Sequence, residues 1–411
     1  MEKKTITIGI NASFARKPNS GIGQVTLNFL RKLSELKVKS DPVKLLRDNG
    51  VKKLKVILYL EEDLPKGFKL PKNPASSAGK FTKKIFLPVY KRDDLIRKIW
   101  WEKFSLPRQI EKDQCDIFIS LYQCPTILKN IPHLMLVHDI IPKLFPEYLD
   151  NARKELYWRL TERAIKKADK IFSVSKHTEK DLVRHLNIAA DKISTNHIDV
   201  DEIYKKTVLP KESARFLKKY KLKPGYLLAG GGYETRKNVE SVVRAYKHLL
   251  KHNKNSHFVP QLPCLAIYGK ILPPTLSLAL DINKLLRELN LTEHVKLLDM
   301  VPQKDMPAIF SNASMFVYPS RYEGFGMPPL EALNAGAPVI VSKVSSLPEV
   351  CGDAALYCRA DDPKDIAMVI RNVLLNKDLR ETLIRRGRER AKNFSWEKFT
   401  EKVVNSIENL N

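Results

Sequence analysis

The chain has 411 residues, 43% of them hydrophobic, with a mean hydropathy of −0.30, a length that points to two domains each with a core of its own. No apolar run approaches the ~18 residues of a spanning helix, the first apolar run starts too early for a signal peptide, and five scattered cysteines lack metal-ligand spacing, so the expected setting is a reduced cytoplasm. The net charge is +26 at a pI near 9.7, and +14 of it lies in residues 1–100. That invites an anionic substrate or membrane surface; a lysine-rich solvated surface accounts for it as well, and no aromatic-basic module speaks for nucleic acid.

Thr5 to Ile10 reads as a buried strand. The loop Asn11–Gln24 follows, carrying Gly21 and Gly23, and then a helical pattern of Val25, Leu27, Phe29, Leu30 and Leu33. Strand, glycine loop and helix is how α/β proteins offer backbone N–H groups to a phosphate, although Gly-Ile-Gly alone also fits an ordinary tight turn. Val56 to Leu60 is the next strand, and residues 61–95, rich in Lys and Pro, read as a long, partly mobile surface insertion. Leu95 to Leu106 is an amphipathic helix whose Trp100 and Trp101 suit core packing better than a membrane-interface belt.

Asp116–Ser120 and Leu134–Val137 are strands, and the second ends in His138-Asp139, where an open parallel sheet places its site. His138 is expected to titrate near neutrality and to hydrogen-bond a sugar or phosphate, against the commoner structural role of a lone histidine. Arg153–Ala168 and Thr178–Leu186 are helices flanking the strand Ile171–Ser175, which completes a doubly wound α/β pattern. Asp199-Val-Asp201 is rejected as a metal motif because nothing near it supplies further ligands, and no metal is expected. Residues 205–224 read as a linker.

The βα alternation then restarts. Strand Tyr226–Ala229 leads into Gly230-Gly-Gly-Tyr-Glu-Thr-Arg-Lys-Asn238 and a helix marked by Val239, Val242, Val243, Tyr246 and Leu249. Arg236 and Lys237 stand at the helix start, where cations oppose the dipole, so a diphosphate ligand is the natural reason for them. Leu265–Tyr268, Val295–Leu298 and Met315–Tyr318 are further strands. Two such domains suggest a ligand held in a cleft.

The most informative stretch runs from Tyr318 to Val341. A strand ends in Pro319-Ser320, a loop holds Glu323, Gly324, Phe325 and Gly326, and a two-turn helix carries Glu331 and stops at Gly336. The loop amides are expected to face a ligand, and Glu331, near the positive end of the helix, to be ionised. Paired carboxylates also serve glycoside hydrolases, but that leaves Lys237 and two glycine turns without a task. A capping glutamate with a tight turn explains only one carboxylate. A ligand with both phosphates and hydroxyls, a nucleotide sugar, uses all of them.

Glu323-Gly-Phe-Gly-Met-Pro-Pro-Leu-Glu331 resembles the E-x7-E motif of retaining GT-B glycosyltransferases of family 4. The resemblance extends to Gly21-Ile-Gly23, Val137-His-Asp-Ile-Ile-Pro142, Arg236-Lys-Asn238, Ser345-Ser-Leu-Pro-Glu-Val350, Gly352-Asp-Ala-Ala-Leu356 and Phe394-Ser-Trp396. It implies an α/β, GT-B fold: two doubly wound Rossmann-like domains facing across a cleft. Residues 1–205 would be the acceptor side, with a closing helix at about 394–411 packing back on it, and residues 206–393 would bind the nucleotide sugar. It also implies roles. Lys237, with Arg236, would hold the donor diphosphate, and Gly21 and Gly23 the distal phosphate. Glu331 would bind the ribose, Val301 would edge the base, and Glu323 with the Gly324–Gly326 loop would take the transferred sugar, with His138 beside it.

Two departures stand out: Gly231 where many members have an arginine, and Met300 where a glycine is common before Val301. The pattern leans to mannosyltransferases using GDP-mannose, with UDP-sugars open. The expected activity is metal-independent, retaining transfer of a hexose to a glycan or lipid-linked acceptor, without a cofactor, by a protein peripheral at the inner face of the membrane. A catalytically inactive basic protein that binds anionic membrane or glycan is the alternative.

Overall fold

The computed structural model describes residues 5–35, 53–70, 81–86, 94–256, 261–271 and 278–408. The chain divides into two compact units, residues 1–199 together with 394–411, and residues 200–393.

Among the described residues, the first unit holds seven parallel strands: β1 (Thr5–Asn11), β2 (Lys53–Leu60), β3 (Phe81–Ile85), β4 (Ile117–Ser120), β5 (His133–Val137), β6 (Lys170–Ser173) and β7 (Ile193–Thr195). Their order is β3-β2-β1-β4-β5-β6-β7. β4 and β5 are buried along their whole length, as parallel strands covered by helices on both faces must be, so they read as apolar runs without alternation. β1 pairs with β2 on one side and β4 on the other, and the sheet order reverses there; ligands of open α/β sheets bind beyond the strand ends at such a point.

Three expectations need correction in this unit and at its border. The stretch read as a surface insertion contains β3, an edge strand paired in register with β2 (Val56 with Phe81) and hidden from the pattern because none of its five residues is buried. Residues 71–80 and 87–93 of that stretch lie outside the described residues. Lys83 and Lys84 on this edge pair with Asp63 and Asp113, and such charges discourage edge-to-edge association. The helix expected over 95–106 starts at Asp94, passes through a π-helical turn at Trp101–Ser105 and runs on to Lys112. Trp101 is core, packed 4.7 Å from the Phe86 ring, whereas Trp100 is 54% exposed, with Ile96 and Phe104 also exposed. The supposed linker is largely the helix Pro210–Tyr220, with Pro210 at its first turn and Lys221 ending it in the left-handed region.

The helix Trp396–Glu408 belongs to the first unit, where Phe399 meets Phe29 of the helix Gly21–Glu35 edge to face at 6.0 Å and its carbonyl accepts from Asn196 Nδ2 at 2.9 Å.

The second unit holds six parallel strands among its described residues: β8 (Tyr226–Gly230), β9 (Leu265–Tyr268), β10 (Val295–Leu297), β11 (Ala313–Tyr318), β12 (Val339–Ser342) and β13 (Ala355–Cys358), in the order β10-β9-β8-β11-β12-β13. Leu227, Ala229, Val243, Tyr246, Ile267 and Val317 form part of its core against the helix Val239–Ser256. The order reverses between β8 and β11, so the turns that follow these two strands lie side by side. Arg321 N donates to Arg236 O at 2.8 Å, and Asn238 Nδ2 to Pro319 O at 3.1 Å.

Candidate functional site

The turn after β8 is shaped by glycine. Gly230 has φ +146°, and a Cβ there would stand 2.2 Å from the Tyr268 carbonyl oxygen, so no other residue lets the two strand ends approach. A 3-10 turn, Thr235–Lys237, then ends at Asn238 in the left-handed region, one residue before the long helix. Arg236 and Lys237 therefore stand just ahead of the helix rather than in its first turn.

Both cations meet Glu323. Its Oε1 accepts from Lys237 Nζ (2.8 Å), Arg236 Nη1 (3.0 Å), Tyr318 Oη (2.8 Å) and Ser320 Oγ (2.7 Å). Burial would raise this carboxyl, but the charges of Lys237 and Arg236 overcome it and take the pKa down to about 2. Burial lowers Lys237, with Arg236 adding to that and Glu323 opposing it. The result is a carboxylate fixed in its ionised form between two cations, one of which, Arg236, also pairs with Glu234 at 3.3 Å.

In the loop that follows, Glu323 N donates to Ser345 Oγ at 2.9 Å, and Ser346 Oγ donates to the carbonyls of Glu323 and Phe325. Gly326, at φ +101°, caps the helix Met327–Ala335. Glu331 is the fifth helical residue, beyond the first turn where the dipole acts, and is 5% exposed. The expectation of an ionised Glu331 is thus corrected. Burial raises it to about 7, the Tyr204 hydroxyl opposing and the Asp201 carboxylate adding to the shift.

Sequence reasoning missed this neighbourhood. Tyr204 also accepts from Gln303 Nε2 at 3.0 Å. The Tyr268 hydroxyl at the end of β9 is buried without a hydrogen-bond partner among the described residues. Tyr204, Tyr268 and Glu331 are far apart in sequence, so no local spacing signals them. Tyr318 and Ser320 were within reach, at fixed offsets before Glu323. Val301 is half-buried after β10, where Asp299 O accepts from Gly269 N at 2.9 Å, and Met300 before it is 57% exposed.

Gly21, Gly23 and His138 belong to the first unit. Gly21 and Gly23 lie in the first turn of the helix Gly21–Glu35, not in a loop. The Gly23 amide donates to Ser20 Oγ at 3.1 Å, and a Cβ at Gly23 would sit 1.9 Å from Lys17 O. Close backbone approach thus accounts for this glycine, and its N–H is already capped. His138 follows β5, half-buried, with Nε2 donating to Leu121 O at 2.9 Å and its backbone N–H donating to Gln123 Oε1 at 3.2 Å. Burial pushes it down to about 4, against the Leu121 carbonyl. It is therefore neutral at pH 7, which corrects the expectation of titration near neutrality.

Residues 20–201 match the family model described as Glycosyltransferase Family 4, and residues 210–390 the one described as Glycosyl transferases group 1. The chain is 34% identical over 275 residues to the O-antigen chain mannosyltransferase B of Escherichia coli, covering 66% of this chain and 69% of that protein. It is 28% identical over 271 residues to the serotype-specific mannosyltransferase WbdA of E. coli, covering 65% of this chain but only 32% of that one. Among solved structures, WaaG, a glycosyltransferase involved in lipopolysaccharide biosynthesis, shares the fold at a TM-score of 0.68 and 17% identity over 98% of this chain and 99% of that chain. Two Rossmann-like units with these matches leave one assignment: the chain belongs to family 4 of the glycosyltransferases and has the GT-B fold.

Proposed function

We propose that the protein is a retaining, metal-independent hexosyltransferase that moves mannose from GDP-mannose to a glycan or lipid-linked acceptor. The observation that carries this reading is the Glu323 cluster, an ionised carboxylate held by four donors, two of them the cations Lys237 and Arg236, at the switch point of the second unit. Lys237 leaves Glu323 to hold the diphosphate, while Arg236, Tyr318 and Ser320 keep the carboxylate aimed at the sugar hydroxyls. The two side-chain cations supply the charge that a metal supplies elsewhere. Glu331 accepts from the ribose hydroxyls, and Val301 edges the base. The bond from the anomeric carbon to the diphosphate oxygen breaks, and the acceptor oxygen bonds that carbon from the same face. The acceptor proton passes to the departing phosphate oxygen. His138, neutral and tied to Leu121, hydrogen-bonds the sugar rather than moving the proton.

Mannose is favoured by the names of the relatives, with UDP-sugars as the competing donors. The setting is the cytoplasmic face of a membrane. Ile96, Trp100 and Phe104 form an exposed stripe, Lys103 lies over the Phe104 ring at 5.2 Å, and the first hundred residues are strongly basic.

The test is a thermal-shift screen of GDP-mannose, GDP, UDP-glucose and ADP-glucose, followed by transfer of radiolabelled mannose. A donor at about a hundred times its Kd stabilises by ~2.7 kcal/mol. Lys237→Ala abolishes both the shift and the transfer. Binding to anionic vesicles with no shift by, and no turnover of, any nucleotide sugar would sink the proposal and favour a binding protein.

A further inference from the structure

The two carboxylates of the second unit are held in opposite ways. Glu323 meets four donors, two of them cations, whereas among the described residues no cation pairs with Glu331. A phenol reaches Glu331 instead. The Tyr204 hydroxyl is hydrogen-bonded to its carboxyl, the Asp201 carboxylate repels it, and the Tyr268 hydroxyl at the end of β9 feels its charge. A neutral donor, with no ion pair to help, therefore sets the direction of a buried acid.

Tyr204 can do this because its proton has one destination. Gln303 Nε2 donates to Tyr204 Oη at 3.0 Å, and an amide nitrogen only donates, so the phenol accepts from Gln303 and directs its one O–H at Glu331. The relay runs one way, from Gln303 through Tyr204 to Glu331, and each bond polarises the next. Both of its anchors are fixed. Tyr204 lies in the 3-10 turn Glu202–Lys205, soon after the second unit begins at Val200, and its buried ring packs 6.2 Å from that of Phe310. Asp201 caps that turn, its Oδ1 accepting from Ile203 N at 3.1 Å. Gln303 opens the 3-10 turn Gln303–Asp305, which is tied down by buried Asp305 accepting from Lys219 Nζ at 2.6 Å.

A carboxylate takes two vicinal hydroxyls together only when both of its oxygens face them, so its rotation about the side-chain axis decides whether the second bond forms. Glu323 has cations to fix that rotation, and Glu331 has the relay. We propose that Tyr204 is a positioning residue: backed by Gln303, it aims the Glu331 carboxylate at the vicinal hydroxyls of the donor ribose and so makes the site select a ribonucleotide. The inference rests on the donor reading above for the ribose role of Glu331, and on the relay itself for the dependence on Tyr204.

The experiment uses the full chain near pH 8, above the Glu331 pKa of about 7, and titrates GDP and UDP, each against its 2′,3′-dideoxy analogue, by calorimetry. Tyr204→Phe removes the hydroxyl and keeps the ring, and Gln303→Met removes the amide and keeps the length. Hydrogen-exchange protection of the β8 and β11 amides checks that the second unit of each variant folds. In the wild type the ribonucleotide that binds is expected to exceed its dideoxy analogue by about tenfold or more, as hydrogen bonds to a charged group allow. Tyr204→Phe weakens that ribonucleotide about tenfold and leaves the dideoxy analogue within about twofold, and Gln303→Met does the same by a smaller factor. With the corresponding nucleotide sugar the donor KM rises while kcat stays, because the ribose is remote from the bond that breaks. A loss shared equally by both members of a pair marks general loosening and overturns the positioning role, as does an unchanged ribonucleotide affinity in Tyr204→Phe. If Tyr204→Phe does not fold, Gln303→Met decides by the same comparison. No binding of either nucleotide to the wild type overturns the positioning role together with the donor reading. A Tyr204-dependent preference for the ribonucleotide, with no turnover of any nucleotide sugar, supports the positioning role and overturns the transferase reading alone.

Discussion

Glu331→Gln isolates the most unusual ionisation in the second unit. The wild-type carboxyl titrates at about 7 in the folded protein against 4.5 for an unperturbed glutamate. The folded state therefore holds a proton that the unfolded chain has released, and stability falls as pH rises. This contribution is complete below the unfolded pKa and is lost as pH passes through about 7. Between roughly pH 5 and pH 8 the wild type gives up about 2–3 kcal/mol that the glutamine variant keeps. The side chain is 5% exposed, so solvent screening removes little of this. The variant is expected to match the wild type within ~1 kcal/mol near pH 5 and to exceed it by ~3 kcal/mol near pH 8. Protection of the β8, β11 and β12 amides from hydrogen exchange, corrected for intrinsic rates, reports the second unit by itself. A wild-type-minus-variant difference that is flat across this range, or that grows toward acid, would refute the reasoning. The same titration predicts that donor KM falls as pH rises through about 7, because the carboxylate accepts from ribose hydroxyls and the neutral acid does so weakly.

Other consequences are testable independently. Gly23→Ala puts a methyl 1.9 Å from Lys17 O and should cost the first unit about 1–3 kcal/mol. The four tryptophans, Trp100, Trp101, Trp158 and Trp396, all lie in that unit, so their emission reports it, and an unchanged midpoint contradicts the packing account. Tyr268→Phe deletes a buried hydroxyl without a partner among the described residues, so stability should hold within ~1 kcal/mol while donor affinity drops about tenfold. A large loss of stability would reveal an internal partner instead. The His138 imidazole should remain neutral down to about pH 5 by ring NMR, its folded pKa near 4 lying below the ordinary 6.5; titration near neutrality rejects the buried geometry. In the same acid range Glu323, at about 2, keeps its ion pairs, which are present above its unfolded pKa and lost only as pH falls through about 2.

The strands were legible because buried parallel strands are unbroken apolar runs: β5 and β8 show this over their whole length. β3 was not, since an edge strand with no fully buried residue leaves Phe81-Thr-Lys-Lys-Ile85 looking like loop. The helix Pro210–Tyr220 hid behind its lysines, because a helix with one narrow apolar stripe has the composition of a linker.

Residue identity and spacing by themselves determined the glycine turn after β8, the Arg236-Lys237 pair and the Glu323–Glu331 segment, and with them the family. Such features are local, imposed on a few neighbouring residues by backbone sterics and ligand chemistry. Only the tertiary structure decided the charge states. Glu323 is driven down by cations that arrive from the turn after β8, while Glu331 is driven up by burial next to Asp201. Both carboxylates stand in one loop-helix segment, and their environments differ because desolvation and Coulomb energy depend on distance in space, which the order of residues does not fix.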